Sequence, residues 1–414
     1  MRLRKKPWIT EAILEFKDFV FTDSEVIKNM SWTESFENKA PLQVELGTGK
    51  GTFITTLAQR HPDINFIGIE AQQDVLYYAA KKVAAEKLPN VKLLVFDINH
   101  IMEAFANPWL AEQEDQARLE LAQLVAEGDR LAFSTDSYVI DPLFFPGGNI
   151  GKLAICGTAN DVAVSGAIPR YLSCGFILEE GLPMETLKTV VNSMAATARE
   201  AGIAIVTGDT KVVQRGAADK LFINTAGMGA IPANIHWGAQ TLSVGDVLLV
   251  SGTLGDHGAT ILNLREQLGL DGELVSDCAV LTPLIQTLRD IPGVKALRDA
   301  TRGGVNAVVH EFAAACGCGI ELSEAALPVK PAVRGVCELL GLDALNFANE
   351  GKLVIGVESA AAEAVLEQLR AHPSGKEAAM IGEVVERKGV RLTGLYGVKR
   401  TLDLPHAEPL PRIC

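Results

Sequence analysis

The sequence predicts an α/β and α+β chain: a truncated Rossmann-like unit, then two α+β domains, then an extended tail. Three observations predict this. Residues 42–97 alternate strand and helix patterns as β-α-β-α-β, half of a doubly wound sheet. After Asp97 that rhythm stops, in a helical stretch with a charged face. From Arg130 onward, longer strand-like runs alternate with small-residue helices, and the sequence finishes on the proline-punctuated "DLPHAEPLPRIC".

The elements follow in order. "LQVEL" reads as a strand and Lys50 to Gln59 as a helix. "NFIGIE" is the second strand, Asp74 to Glu86 a helix and "VKLLVFD" the third strand. His100 to Asp129 reads as helix. "RLAFSTDSYVI" is a strand, followed by the loop "FFPGGNIGK" and a small-residue helix, "LAICGTANDVAVSGA". The helix "METLKTVVNSMAATAREAG" leads into the strands "IAIVTGD" and "KLFINTAGMGAI". A further unit opens at "LSVGDVLLVSG". It holds a helix from Ala259 to Gln267, the run "VKALRDATRGGVNAVVHEFAAACG", a strand at "GIELS", and a helix and strand ending in "LVIGVES". A last αβ pair runs to about Leu402, and no short-period repeat or low-complexity linker interrupts the chain.

With 414 residues, 48% hydrophobic and 21% charged, the chain has the profile of a globular enzyme of two or three domains. Its formal net charge is -13, and basic and acidic residues balance over roughly the first hundred, so the excess acid lies in the rest. That argues against broad phosphate-backbone binding by the larger part. The basic start, "MRLRKKPW", is of the kind that usually forms a solvated terminus. No apolar segment follows it and no run reaches the length of a membrane span, so a cytoplasmic protein with no membrane partner is expected. The seven cysteines are irregularly spaced. Cys316 and Cys318 lack a second pair at zinc-finger spacing, and most of the others sit in apolar segments as small hydrophobes.

Two stretches carry chemistry. In "ELGTGKG", Gly47, Gly49 and Gly51 permit a tight turn and close backbone approach to a ligand between a strand and a helix. Glu70, at the end of the next strand, is placed to hydrogen-bond ribose hydroxyls, and Asp97 stands at the end of the third. "VELGTGKGTFI", "HPDINFIGIE" and "NVKLLVFDIN" resemble the first half of bacterial tRNA (guanine-N7)-methyltransferases. The resemblance covers residues 1–101 and implies a vestigial S-adenosylmethionine site on Glu45, Gly47, Gly49, Glu70 and Asp97. The family's following Asp-Pro-Trp-Pro-Lys-Lys-Arg signature is absent. "ANPWLAEQ" leads into acids instead, so tRNA is not an expected partner.

Farther on, Asp136 in "STDSYV", Asp161 in "TANDVA" and Asp209 in "TGDTK" fall at strand ends or turns. Carboxylates converging on one place suit Mg²⁺, which prefers oxygen ligands shared with phosphates. Lys211 supplies a point charge for a phosphate, and "PGGNIGK" offers backbone donors near Lys152 without Walker spacing. These phrases, with "INTAGMG", "SGTLGDHG", "DATRGGVNAVVHE", "LNFANEGKL" and the final "PRIC", resemble the aminoimidazole ribonucleotide synthetase-like (PurM-like) ATP-binding superfamily. Within it they resemble the hydrogenase maturation HypE family, almost without interruption over residues 102–414.

That second resemblance implies an ATP-binding and dimerisation domain over 102–235, a second PurM-like domain over 236–400 and a mobile tail over 401–414. It implies a carbamoyl dehydratase. A carbamoyl group is placed on Cys414, and the thiocarboxamide is dehydrated with ATP to a thiocyanate that supplies cyanide for the iron of nickel–iron hydrogenase. Cys414 is the carrier, Glu350 in "NEGK" the candidate base and Lys211 the phosphate partner. Asp136, Asn160, Asp161, Asp209 and Thr210 hold ATP, with Mg²⁺ on Asp136, Asp161 and Asp209. Partners implied are a second copy, the carbamoyltransferase HypF and the HypC–HypD iron scaffold. Pro405, Pro409 and Pro411 favour an extended tail reaching on the order of 30 Å.

The family's His-Gly-Ser-Gly-Gly phosphate loop is not found upstream of Met102, where the methyltransferase-like residues stand. Two other readings therefore stay open: an S-adenosylmethionine-binding protein, and an inactive hybrid that binds maturation partners. His257 in "GDHG" and His310 are lone histidines, of the kind that more often satisfy structure than chemistry, and are not assigned.

Overall fold

In the computed structural model the described residues are 8–29, 35–36, 38–96, 117, 119, 121–270, 272–405 and 412–414. Asp97 and most of the junction between the two resemblances fall outside them, as do tail residues 406–411. The chain divides into two compact units. One comprises Met1–Ala117, Cys174–Asn192 and Ile205–Phe222; the other comprises Arg118–Ser173, Ser193–Ala204 and Ile223–Cys414.

The first sheet contains β1 (Val20–Phe21), β2 (Leu42–Leu46), β3 (Asn65–Glu70) and β4 (Val91–Val95) in the parallel order β1-β4-β3-β2. Three of these strands were legible as alternating runs. The fourth, β1, is two residues long, too short for periodicity to announce it. Helices Thr52–Arg60 and Gln73–Glu86 cover the sheet and bury Ile54, Ala58, Leu76, Ala79, Ala80 and Val83 against Phe66, Val91 and Leu93. Gly51 caps the first of these helices at φ 74°, and a Cβ there would lie 2.6 Å from the Ala79 Cβ, so the turn requires glycine.

The second sheet has the order β5-β10-β8-β9, with β5 (Arg130–Tyr138), β8 (Ile168–Glu179), β9 (Ala204–Val213) and β10 (Leu221–Ile231). Edge strand β5 runs antiparallel to β10 from Tyr138 opposite Ile223 to Arg130 opposite Ile231. The twelve-residue β8 was not read from the sequence, where it lies between two helical patterns. Between β5 and β8 come the hairpin β6 (Phe144–Phe145) and β7 (Gly148–Asn149), then helix Ile150–Ala163. That helix starts three residues before the sequence expectation. The Asn149 side chain accepts from the amides of Gly151 (2.9 Å) and Lys152 (3.2 Å), and so caps it.

The third sheet orders β12-β14-β11-β15-β13-β16-β17. Its strands are β11 (Val247–Val250), β12 (Val294–Asp299), β13 (Gly319–Ser323), β14 (Leu353–Val357), β15 (Ala379–Val385), β16 (Gly389–Thr393) and β17 (Lys399–Thr401). β14 is buried along its whole length, as an interior strand of apolar residues should be. One core joins Val305, Val309 and Phe312 of helix Gly304–Cys316 to Ile320, Val354 and Ile381. A second joins Leu281, Leu284 and Leu288 to Ile355, Val365 and Leu369. Cys156, Cys174 and Cys278 are buried; Cys316, Cys318, Cys337 and Cys414 are partly exposed. Among the described residues no helix is long and apolar enough to cross a membrane.

Candidate active site

The larger unit gathers carboxylates from separate elements. Asp136 stands on β5, where its Oδ1 accepts the Ser137 amide at 2.9 Å. Asp161, in helix Ile150–Ala163, accepts from the Ser134 hydroxyl at 2.7 Å, and burial followed by the Asp136 charge raises its pKa. Asp299 ends β12. It is buried, one carboxyl oxygen has no hydrogen-bond partner among the described residues, and its pKa is pushed up to about 7 by burial and then by Asp161. Acids that raise one another in this way are relieved by a cation or by protons. Among the described residues no group of three His, Cys, Asp or Glu is arranged to hold a metal by itself.

Behind these acids lies a buried hydroxyl chain. Tyr138 Oη is 3.1 Å from Thr158 Oγ1, which is 2.5 Å from Thr225 Oγ1. A Cβ at Gly157 would meet Tyr138 Oη at 2.3 Å, so a side chain there would displace the ring.

Glu350 precedes β14 in "NEGK". It is 2% exposed, its Oε1 has no partner among the described residues, and burial, with Cys278, Asp277, Asp299 and Asp136 around it, raises its pKa well above the carboxylate range. Its backbone is strapped from outside. Asp277 accepts the amides of Glu350 and Gly351, both at 3.2 Å, and pairs with Lys352 at 3.6 Å. The Ala279 amide donates to the Glu350 carbonyl at 3.2 Å. Asn160 clamps the same strap, donating to the Ala279 carbonyl (3.0 Å) and accepting from the Leu281 amide (2.8 Å). Asp277 went unread because nothing near it in sequence shows that it serves a loop about seventy residues away.

The last residues lie against this unit. The Val139 amide donates to the Cys414 carbonyl at 2.9 Å, and Arg412 Nε donates to the Val139 carbonyl at 2.9 Å. Arg265 donates to the carbonyls of Asp141 (2.6 Å) and Arg412. Ile413 is buried, and its carbonyl accepts from His257 Nε2 at 2.8 Å. A histidine set aside at the sequence level thus contacts the residue beside the predicted carrier.

Asp209, Thr210 and Lys211 stand on β9 in the smaller unit. Lys211 Nζ is 2.7 Å from Asp209 Oδ1, which also accepts the Thr210 amide at 2.9 Å. Hydrogen bonding from Lys211 lowers the Asp209 pKa. The glycine loop is in this unit too. Glu70 accepts the Gly49 amide at 3.0 Å and the Gln72 amide at 3.0 Å, so both its oxygens hold their own turn; Gly47, at φ 75°, donates to Ile69. Glu45 borders a cavity lined by Phe53, Ile54, Leu57, Leu178 and Met184. Its Oε2 has no partner among the described residues, and burial pushes its pKa up to about 7.

Comparison with known proteins divides the sequence in the same sense. The family models "AIR synthase related protein, N-terminal domain" and "AIR synthase related protein, C-terminal domain" match residues 113–231 and 243–394, and "Putative methyltransferase" matches 39–119. The chain is 94% identical over 313 residues to carbamoyl dehydratase HypE of Escherichia coli (strain K12), covering 76% of this chain and 93% of that one. It is 49% identical to carbamoyl dehydratase HypE of Azotobacter vinelandii, covering 75% and 91%. Among solved structures, E. coli HypE aligns with TM-score 0.74 at 92% identity, covering 76% and 97%. A HypE in complex with ATP aligns with TM-score 0.71 at 43% identity, covering 81% and 97%. A HypE–HypF complex aligns with TM-score 0.65 at 45% identity, covering 74% and 98%.

Proposed function

The chain belongs to the carbamoyl dehydratase HypE family of hydrogenase maturation proteins, and from that premise we propose how its residues carry out the ATP-dependent reaction. Cys414 carries the carbamoyl group as a thiocarboxamide. ATP would phosphorylate the amide-type oxygen and leave as ADP; that oxygen would then depart as inorganic phosphate while both nitrogen protons go to a base, so the cysteine is left as a thiocyanate with a net loss of the elements of water. Asp136 and Asp161 hold Mg²⁺ together with the nucleotide, and Asp299 takes up part of the cation's charge. Asp209, Thr210 and Lys211 serve the phosphates.

Glu350 removes the nitrogen protons. The observation that carries this role is its buried Oε1, which has no partner among the described residues and is available to take a proton once the carboxyl is ionised. Neutralising Asp136 and Asp299 removes two of the negative neighbours that raise Glu350, so occupancy of the acid cluster favours its ionised form. Domains at 102–235 and 236–400 and a tail at 401–414 fit this division of labour.

HypF is the partner that delivers the carbamoyl group, as the HypE–HypF relative supports. A homodimer through edge strand β5 agrees with its exposed Leu131 and Phe133. The HypC–HypD scaffold receives the cyano group, and the cytoplasm is the site of action. S-adenosylmethionine in the 1–101 unit is a second reading. The orphan Glu45 oxygen favours it; the self-engaged Glu70 disfavours it.

The test is intact-mass analysis of Cys414 after incubation with ATP, Mg²⁺, carbamoyl phosphate and HypF. The expected sequence is gain of one carbamoyl group, then loss of one water. Glu350→Gln should keep the gain and slow the loss by roughly 10²–10⁴-fold; an unchanged rate removes Glu350 as the base. Carbamoylation of the unaltered chain with no water loss identifies the inactive hybrid.

A further inference from the structure

His257 opens helix Asp256–Glu266, is completely buried, and has both ring nitrogens engaged. Nε2 faces the Ile413 carbonyl at 2.8 Å, which only accepts, so Nε2 carries the proton. Nδ1 is then the acceptor for the Ser276 hydroxyl at 2.7 Å. The Cys278 amide donates to that hydroxyl oxygen at 3.2 Å, which leaves the hydroxyl hydrogen for the histidine. The polarity of the chain is single-valued: Cys278 N–H to Ser276 O–H to His257 Nδ1, then Nε2–H to Ile413. Burial, the largest influence on the ring, lowers its pKa and keeps this neutral tautomer. Phe145 packs edge-on against the imidazole at 5.3 Å.

Ser276 is fixed in turn. Its amide donates to the Pro146 carbonyl at 2.9 Å, and a Cβ at Gly147 would lie 2.5 Å from its carbonyl oxygen, so the β6–β7 turn closes directly on it. The next residue, Asp277, accepts the Glu350 and Gly351 amides, and Ala279 binds the Glu350 carbonyl. One four-residue segment, 276–279, therefore references both the tail and the base-bearing loop.

Building on the reading of Cys414 as carrier and Glu350 as base, we propose that His257, oriented by Ser276, is a positioning residue: by gripping the Ile413 carbonyl it sets the register in which the Cys414 thiocarboxamide is presented to Glu350. Its two ring nitrogens are spent on Ser276 and Ile413. Its effect is geometric, and displacements of about 1 Å at a reacting pair cost on the order of 10²-fold in rate.

Two near-isosteric variants separate positioning from general structure. The Gln amide nitrogen reaches about as far as Nε2 and keeps the donor to Ile413; the Asn amide reaches about as far as Nδ1 and loses it. Two readouts apply to the full chain: iodoacetamide alkylation of Cys414, resolved by peptide mass mapping, and single-turnover water loss from carbamoylated Cys414 over a range of ATP concentrations. H257Q should stay within about threefold of the unaltered chain in both. H257N should alkylate roughly tenfold faster, the weight of one neutral hydrogen bond, and should lose water at least tenfold more slowly at saturating ATP with its half-saturating ATP concentration unchanged. Ser276→Ala, which removes one oxygen and leaves the ring in place, should fall between them. Equal alkylation rates in H257Q and H257N overturn the proposal, as does an unchanged rate in a Ser276→Ala protein that melts normally. Alkylation needs no turnover. A chain that never dehydrates its cysteine but shows the alkylation difference refutes the reaction and keeps the anchor; the converse refutes the anchor alone.

Discussion

Glu70 and Glu350 occupy comparable places, one ending a strand of the first sheet and the other just ahead of a central strand of the third, yet their valences are spent differently. Both Glu70 oxygens accept amides of their own surroundings, Gly49 and Gln72. Glu350 gives its backbone to a strap, Asp277 and Ala279, and leaves Oε1 buried with nothing to bind. A buried unpaired carboxyl oxygen is costly unless some other state of the molecule uses it. The difference lies in what each acid has left to offer: Glu70 is spent on its own turn, Glu350 is not. The glycine turn keeps its shape with its acid consumed as internal support, whereas the acid region keeps polar groups in reserve.

The sharpest way to break this comparison is at the acid cluster. Asp161→Asn should raise the Mg²⁺ and ATP concentrations needed for water loss by about 10–100-fold, because a charge-assisted ligand is worth roughly 1.5–3 kcal/mol. Titration of the single-turnover rate checks this, and an unaltered requirement places the cation elsewhere.

A smaller effect is expected from Asp299→Asn. An acid whose folded pKa is raised from the ordinary value to about 7 binds more protons folded than unfolded between those values. Its contribution to stability therefore declines as pH rises through that window, and the penalty is fully developed above about pH 7. Asp299→Asn should stabilise the protein at pH 8 and leave it almost unchanged at pH 4, as read from denaturant midpoints. Equal shifts at both values would exclude a charge penalty.

The smallest effect belongs to the other carboxylate. Glu70→Ala should cost about 1 kcal/mol in the glycine-loop unit, visible as faster amide exchange at Gly49, and should leave the dehydration rate within about twofold. A large loss of dehydration would show that the two regions work as one.

Much of this was legible because it is written in periodicity and in contiguous phrases. β2, β3 and β4 alternate with helices, β14 is a run of apolar residues, and the acids sit in recognisable turns. Elements too short or flanked by stronger patterns escaped, as β1 and β8 show. Helix Ile150–Ala163 begins early because of a side-chain cap, which depends on the Asn149 rotamer rather than on its neighbours' hydropathy. The least legible residues are those whose partners are remote in sequence. Asp277 serves Glu350, Asn160 serves Ala279 and Leu281, and His257 serves Ile413. Asp277 and His257 are ordinary polar residues until the chain is folded, and Asn160, assigned to ATP by resemblance, has its side-chain amide engaged by Ala279 and Leu281.

The distribution of sulfur has a practical corollary. Cys156, Cys174 and Cys278 are sealed in the interior, with Cys174 pushed up to about 12 and Cys278 raised as well, while the half-covered Cys337 sits at about 11. Since thiolates are the reactive species, electrophiles at neutral pH should find Cys174, Cys278 and Cys337 nearly inert, and burial keeps Cys156 out of their reach. Background labelling at interior sites then reports loss of the folded state, and the terminal thiol's reactivity, normalised to them, becomes a meter for how firmly the chain's last residues are held.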